Sequence, residues 1–235
     1  MFFVIILMCV LAGIYGYGVY IGFWGSSIET KWKEGQTKVA CVGDSITYGM
    51  LIRDRRHHCY PYLLQQLLGD QYNVRNYGLN DRNAMESGKH PFRKEKRYQE
   101  SLRFLPDIVL IKLGTNDSKK GTWIGAEAWE KDYRELLNSY LTLPSHPQLI
   151  LITPAYPQPV KQKDGSIGLS FQMQDEAMEA ESEVIQRLGE ELNAEVIDLR
   201  SFTKGKPEWF NSDGIHPNNE GARQIAHFIY AELKR

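Results

Sequence analysis

Residues 41–49 read Cys-Val-Gly-Asp-Ser-Ile-Thr-Tyr-Gly and join a short apolar run, 38–42, to a segment with a helical pattern. The apolar run is typical of a buried strand, so Ser45 falls where a strand ends and a helix begins. In an open parallel sheet, ligands bind outside the carboxyl ends of the strands, where the following helix points its backbone N–H groups. Ser45 is therefore a candidate nucleophile. A turn with a helix N-cap is the alternative, because Asp and Ser are common in both.

The rest of the chain alternates predicted strands with predicted helices. The run 107–113, Asp-Ile-Val-Leu-Ile-Lys-Leu, is almost continuously apolar, as expected of a central parallel strand buried on both faces. Such alternation implies parallel pairing with right-handed crossovers. We predict an α/β protein: a three-layer α/β/α sandwich with about five parallel strands. The predicted strands are 38–42, 72–77, 107–113, 148–153 and 194–199, and the predicted helices 60–68, 94–105, 126–143, 175–192 and 218–234.

The N-terminal residues 2–24 form an uncharged, proline-free apolar stretch, long enough to cross a bilayer as a helix. We interpret 1–25 as a single-pass transmembrane anchor, 26–36 as a polar tether, and 37–235 as the folded domain. A cleaved signal peptide is the alternative, although no basic residue precedes the run. Lys31 and Lys33 favour a cytoplasmic domain by the positive-inside rule. Anchors that hold exported enzymes favour the opposite side, so we expect an extracytoplasmic domain with its orientation open.

Charge and cysteine content limit the partners. The net charge of −1 offers no basic face, so we expect no nucleic-acid binding. The three cysteines, Cys9, Cys41 and Cys59, do not make a disulfide framework, and a Cys41–Cys59 pair stays open. No Cys/His spacing resembles a metal site. The sequence leaves the oligomeric state open.

Four polar segments follow predicted strands or precede the last helix, and together they contain the parts of a serine esterase. Such an enzyme needs a base for the hydroxyl proton, a carboxylate to orient that base, and hydrogen-bond donors for the oxyanion. His216 would be the base and Asp213 its orienting carboxylate. The backbone N–H groups of Ser45 and Gly78, with the side-chain amide of Asn116, would form the oxyanion hole. Each residue alone has an ordinary structural explanation as a turn or a cap, but their common position at one sheet edge favours catalysis.

The same segments, in this order, resemble the conserved blocks of the SGNH hydrolase superfamily, also called GDSL-like lipases and esterases. Residues 43–49 resemble the first block, Asn76-Tyr77-Gly78 the second, Gly114-Thr115-Asn116-Asp117 the third and Asp213-Gly214-Ile215-His216-Pro217 the fifth.

The resemblance covers 38–233. It implies Ser45 as nucleophile, Gly78 and Asn116 as oxyanion donors, and Asp213 and His216 as the other triad members. It also implies a flavodoxin-like sandwich that needs no cofactor and no metal. One departure is Asp81, which stands where the second block often continues with a glycine.

The substrate is predicted less sharply. Residues 114–123 resemble the third block of carbohydrate acetylesterases, and the loops are not markedly apolar. We therefore favour a short-chain acyl ester of a carbohydrate, with acetyl as the preferred acyl group. Trp123, Tyr156 and Trp209 are candidates to stack on a sugar, with core packing as the alternative. The long segment 155–172 has little periodicity and is predicted as a functional loop.

Three other functions stay open: a lysophospholipase or thioesterase acting on lipid, an acyltransferase to a sugar hydroxyl, and a non-catalytic module whose Ser45 turn holds a phosphate. The membrane anchor favours the first of these. The nucleophile elbow of α/β-hydrolases, G-x-S-x-G, is absent, because Thr47 stands where its second glycine would be.

Overall fold

The computed structural model describes residues 10–18 and 31–235. Residues 10–18 are helical, and the rest of the predicted anchor at 1–25 lies outside the described residues. Within the described part of the chain, every helix is too short or too polar to cross a bilayer. The membrane anchor therefore stays a prediction.

Five parallel strands form one sheet, as the sequence predicts. The sheet order is β2-β1-β3-β4-β7, which is the doubly wound order of flavodoxin-like folds. A separate antiparallel hairpin is formed by β5 and β6. The strands are β1 (Thr37–Gly43), β2 (Tyr72–Asn76), β3 (Ile108–Lys112), β4 (Gln148–Ile152), β5 (Val160–Lys161), β6 (Ile167–Gly168) and β7 (Glu195–Ile197).

Helices cover both faces of the sheet. They are α1 (Ser45–Tyr48), α2 (Arg55–His58), α3 (Tyr60–Leu68), α4 (Lys96–Arg103), α5 (Ala126–Leu141), α6 (Asp175–Leu192), α7 (Leu199–Thr203) and α8 (Asn219–Glu232). Short 3-10 turns occupy Phe92–Lys94, Ser170–Gln172 and Pro207–Trp209.

Alternate residues of each strand face opposite layers, because side chains point to opposite faces with a period of two. In β1, Ala40 and Val42 pack in the layer of α5 and α6, whereas Val39 and Cys41 pack in the layer of α3 and α8. These strand residues are fully buried. Burial on both faces explains why the strands read as continuous apolar runs.

The strand ends are held in register, and this alignment positions the site. Gly43 at the end of β1 pairs with Lys112 at the end of β3. On the other side, the Tyr77 N–H donates to the Cys41 carbonyl (2.8 Å) and the Leu79 N–H to the Gly43 carbonyl (3.0 Å). Pairing therefore continues past β2, and it carries Gly78 alongside the turn that contains Ser45.

The structure differs from the sequence prediction mainly at element ends. The last sheet strand stops at Ile197, not at residue 199, because the Asp198 carboxylate caps α7 by accepting the Ser201 N–H (3.0 Å). Segment 155–172, predicted as a loop, contains the β5–β6 hairpin and a 3-10 turn. Cys41 and Cys59 are both free, buried thiols.

Candidate active site

Ser45 is the first residue of α1, and only Asp44 separates it from the end of β1. The Asp44 side chain caps this helix by accepting the Ile46 N–H at 2.9 Å. The N–H groups of a first helical turn have no intrahelical acceptor, so the Ser45 N–H is available to another oxygen. The approach of the strand to the helix needs a glycine, because a Cβ on Gly43 would overlap Thr47.

Ser45, His216 and Asp213 form a continuous hydrogen-bonded chain. The Ser45 hydroxyl donates to Nε2 of His216 at 2.9 Å, and Nδ1 of His216 donates to Oδ2 of Asp213 at 2.6 Å. Ser45 and His216 are 5% and 6% exposed. Their hydrogen bonds are therefore largely screened from water, but a substrate can still reach the Ser45 hydroxyl. Burial alone would raise the pKa of Asp213, but the hydrogen bond and charge of His216 outweigh it and lower that pKa.

The loop that carries Asp213 and His216 is fixed by its own backbone. The other Asp213 oxygen accepts the N–H groups of Ile215 and His216, both at 2.9 Å. The Gly214 carbonyl accepts the Gln158 N–H at 2.8 Å. Gly214 has a φ of +70°, which favours glycine, and a Cβ there would overlap the Gln158 carbonyl oxygen. The Asp213 carboxylate is thus held in place by its own loop.

The side-chain amide of Asn116 has a donor to spare. Its Nδ2 donates to the Arg82 carbonyl at 3.1 Å, which uses one of the two amide hydrogens. Asn116 and Ser45 line the same cleft. The second hydrogen is therefore available to an oxygen held above Ser45.

Gly78 is close to the Ser45 helix, but its N–H is engaged. The Gly78 N–H donates to Oδ1 of Asn76 at 2.8 Å, and Gly78 does not line the cleft. A Cβ on Gly78 would overlap the backbone of Tyr48, which gives the glycine a steric reason of its own. An oxyanion would have to share or replace the Asn76 oxygen, so the donor role of Gly78 stays a prediction.

A buried ion pair lies directly beneath Ser45. Nζ of Lys112 lies 2.9 Å and 3.2 Å from the two Asp44 carboxylate oxygens, and it donates to Oγ1 of Thr115 at 2.5 Å. The Lys112 and Asp44 side chains are 1% and 0% exposed. Sequence reasoning missed this pair, although a lysine within a buried apolar strand was a signal for it.

Two further carboxylates are buried near the end of β3. Asp117 accepts the N–H groups of Ala84 (3.0 Å) and Met85 (2.7 Å), and burial raises the pKa of Asp117 to about 7. Glu181 on α6 is fully buried, and neither of its carboxylate oxygens has a hydrogen-bond partner among the described residues. Burial, with the nearby Asp117 charge, raises the pKa of Glu181 well above its usual range. Both carboxyl groups therefore hold their proton to a higher pH in the folded protein than in the unfolded chain.

A cleft of about 360 Å³ opens above the triad. One part of its wall is apolar, and another part is a charged pair in which Lys119 Nζ lies 2.5 Å from Asp81 Oδ1. The cleft is lined by Ser45, Met50, Asn80, Asp81, Asn116, Lys119, Phe171, Met173 and His216.

None of the three aromatic residues proposed from the sequence as sugar platforms lines this cleft. Trp123 packs against the core of the α5 layer. Tyr156 lies under the guanidinium of Arg200, 5.0 Å from ring centroid to Cζ, and Trp209 packs on Phe202. Packing explains all three. Phe171 is the aromatic residue that does line the cleft, and no periodic pattern in the sequence marks it.

Within residues 10–18 and 31–235, no three His, Cys, Asp or Glu side chains are grouped so as to hold a metal ion. The polar groups around Ser45 instead bond to one another or face the cleft.

The chain belongs to the GDSL-like Lipase/Acylhydrolase family, whose sequence profile matches residues 41–224. The match contains Ser45, Asn116, Asp213 and His216, the residues that the fold brings together.

One curated relative is an acetylxylan esterase of Xylanibacter ruminicola, which is 32% identical over 231 residues. The alignment covers 91% of this chain but 46% of that protein, so the chain spans about half the length of this relative.

Solved structures share the fold. A carbohydrate acetylesterase of Sinorhizobium meliloti is 20% identical, with a TM-score of 0.68 over 85% of this chain and 99% of that one. The aryl esterase of M. smegmatis is 19% identical, with a TM-score of 0.69 over 84% and 98%. A lipase/acylhydrolase of Enterococcus faecalis is 24% identical, with a TM-score of 0.64 over 85% and 96%.

The buried ion pair makes a first prediction. Lys112→Met leaves the Asp44 charge buried and unpaired, so it should lower the free energy of unfolding by about 3–5 kcal/mol. The double variant Asp44→Asn with Lys112→Met should recover part of this loss, because asparagine keeps the helix cap without a charge. Urea denaturation measures both.

The matched control is Lys96→Met, which breaks an exposed pair with Glu100 in which Lys96 is 86% exposed. This change should cost less than about 1 kcal/mol. If Lys112→Met lowered the free energy of unfolding as little as Lys96→Met does, the buried pair would not be needed for the stability of the fold.

Buried Glu181 makes a second prediction, on pH. A raised folded-state pKa means that the folded protein binds a proton that the unfolded chain releases, so stability present in acid is lost as pH rises. For Asp117 this loss extends from its ordinary 3.8 to about pH 7, and Glu181 adds to it above its ordinary 4.5. Glu181→Gln should flatten the fall of Tm between pH 5 and pH 8 and raise Tm at pH 8.

Glu179→Gln on the exposed face of α6 is the control, and it should follow the native curve. Thermal unfolding at several pH values measures all three proteins. A Glu181→Gln curve parallel to the native one would contradict the assignment of buried, protonated Glu181.

Proposed function

We propose that this chain removes short-chain acyl groups, and acetyl groups in particular, from a carbohydrate through an acyl-enzyme on Ser45. The observation that carries the proposal is the continuous hydrogen-bonded chain from Ser45 through His216 to Asp213 at the floor of an open cleft. That arrangement is what a serine nucleophile requires of its base and of the group orienting the base.

The proposed reaction has two halves. The Ser45 oxygen attacks the ester carbonyl carbon while its proton passes to Nε2 of His216, and the same proton then leaves with the alcohol. A water next attacks the carbonyl carbon of the acyl-Ser45 ester and gives a proton to Nε2 of His216. The bond between the acyl carbon and the Ser45 oxygen then breaks, His216 returns the proton to that oxygen, and the carboxylic acid leaves. Asp213 stabilises the imidazolium formed in each half, and its lowered pKa keeps it ionised.

Negative charge develops on the carbonyl oxygen in both halves. The Ser45 N–H and the second amide hydrogen of Asn116 are the donors that support this charge, because both are preorganised beside the Ser45 hydroxyl. Gly78 would be the third donor if the oxyanion displaces the Asn76 oxygen from its N–H.

Substrate class is inferred from the cleft and from the relatives. Asp81 and Lys119 neutralise each other, so the cleft offers no unpaired cation at this wall for a lipid phosphate. The curated relative is named as an acetylxylan esterase, and a structural neighbour as a carbohydrate acetylesterase. Both names agree with an acetylated neutral sugar, and the first suggests acetylated xylan as the substrate to test.

The test is acetate release by the full 235-residue chain from an acetylated xylo-oligosaccharide and from ethyl acetate. Ser45→Ala should lower kcat/KM for both esters by at least about 10³-fold, because no other hydroxyl replaces the nucleophile. Asn116→Ala should lower kcat by about 10²-fold through loss of one oxyanion donor. Ser166→Ala, on the exposed β5–β6 turn, is the matched control and should not change either rate.

Retained turnover in Ser45→Ala would contradict the nucleophile. Turnover of lysophospholipid or an acyl thioester in place of the sugar ester would contradict the substrate class while leaving the triad intact. Addition of unacetylated xylo-oligosaccharide separates hydrolysis from transfer, since a transferase would acetylate it and release less acetate.

A further inference from the structure

Two adjacent residues near the triad adopt a strained backbone. Phe171 has a φ of +57° and Gln172 a φ of +56°, a region that non-glycine residues rarely occupy. Each such residue costs about 1 kcal/mol or more, and this conformation persists only where the surroundings determine it. Strain of this kind clusters at functional sites, and here it positions the side chain of Phe171 in the wall of the cleft.

Contacts on both sides hold this segment in place. The Gln172 carbonyl accepts the Lys120 N–H at 2.9 Å, and Met173 pairs with Lys119 in an antiparallel bridge. The Met173 side chain is buried in a small cluster with Met178 and Ile215. The segment is thus fixed between the loop after β3 and the loop that carries the triad histidine.

The Phe171 ring is exposed although its backbone is fixed. Its side chain is 53% exposed and belongs to no buried core cluster. The ring centroid lies 6.1 Å from that of His216, at an interplanar angle of 75°, and the ring lines the cleft above Ser45. Strain and an exposed aromatic ring both oppose stability, so core packing does not explain this residue.

The same cleft offers polar groups suited to hydroxyls. The backbone of Asp81 is also in the left-handed region, with a φ of +60°, and its carboxylate is paired with Lys119. Nε2 of His90 lies 3.6 Å from the other Asp81 oxygen. The pair supplies acceptors and donors close together with compensated charge, which suits the hydroxyl groups of an uncharged sugar better than an anionic ligand.

We propose that Phe171 is a specificity-determining residue: the ring of the sugar that carries the ester stacks on it, and Asp81 with Lys119 hydrogen-bonds the sugar hydroxyls. The proposal rests on the proposed carbohydrate esterase function and extends it by assigning the alcohol side of the cleft. It places a neutral pyranose between an apolar face and a polar pair, beside the carbonyl that Ser45 attacks.

The experiment compares two acetyl esters that differ only in the alcohol. One is a monoacetylated methyl β-xylopyranoside, and the other is ethyl acetate, whose alcohol has no ring to stack. Aryl acetates are avoided because their own ring would stack on Phe171. The readout is the ratio of kcat/KM for the sugar ester to that for ethyl acetate, measured on the full chain.

Phe171→Ala should lower this ratio about tenfold, mainly by raising KM for the sugar ester, since the stacking surface is lost. Phe171→Tyr should keep the ratio within about twofold of native, and Phe171→Leu should lower it, because leucine is apolar but not flat. Ile167→Ala removes a 71% exposed apolar side chain from the same segment and lies outside the cleft, so it should leave both rates unchanged.

Other outcomes contradict the proposal in distinguishable ways. An unchanged ratio in Phe171→Ala would contradict the stacking role: rates equal to native would leave Phe171 without a part in turnover, and rates reduced alike would make it a positioning residue for His216. If Phe171→Ala lowered the ratio of kcat/KM for ethyl butyrate to kcat/KM for ethyl acetate tenfold, the acyl chain, and not the sugar, would contact Phe171. If the native chain cleaves ethyl acetate but no sugar acetate, the carbohydrate function itself fails, and the stacking site fails with it.

Discussion

The buried ion pair between Asp44 and Lys112 is the interaction on which the site depends. It ties the end of β1 to the end of β3, and Asp44 at the same time caps the helix that begins with Ser45. Two charges this deeply buried are tolerable only together. The pair therefore fixes the two strand ends against each other, and with them the backbone and hydroxyl of Ser45.

Parallel strands bring the remaining groups to the same edge. Ser45 and His216 are 171 residues apart in sequence, yet their side chains are 2.9 Å apart, because each follows a strand end or loop on the same side of the sheet. The histidine loop is rigid through the Asp213 carboxylate, which accepts two backbone N–H groups and also orients the imidazole. One carboxylate thus shapes the loop and serves the proposed base.

Much of this arrangement could be predicted from the sequence, because apolar runs mark strands buried on both faces and polar motifs mark the points where they end. The prediction of Ser45, Asp213, His216 and Asn116 as site residues rests on these motifs. The partner of Lys112 could not be predicted because it is remote in sequence, and buried Glu181 resembles any surface glutamate of an amphipathic helix. A left-handed backbone is usually signalled in the sequence by a glycine, and position 171 is a phenylalanine. The hydrogen bond from the Gly78 N–H to Asn76 depends on a side-chain rotamer, which the sequence does not reveal.

The central claim is that this convergence makes Ser45, and no other serine, a reactive nucleophile. Its most direct measurement is covalent trapping with an alkyl fluorophosphonate, followed by peptide mass spectrometry and by the labelling rate in His216→Ala. We expect one adduct, on Ser45, and labelling slowed by at least about 10³-fold without the histidine base. Labelling at another residue, or labelling of Ser45 at the native rate in His216→Ala, would contradict it.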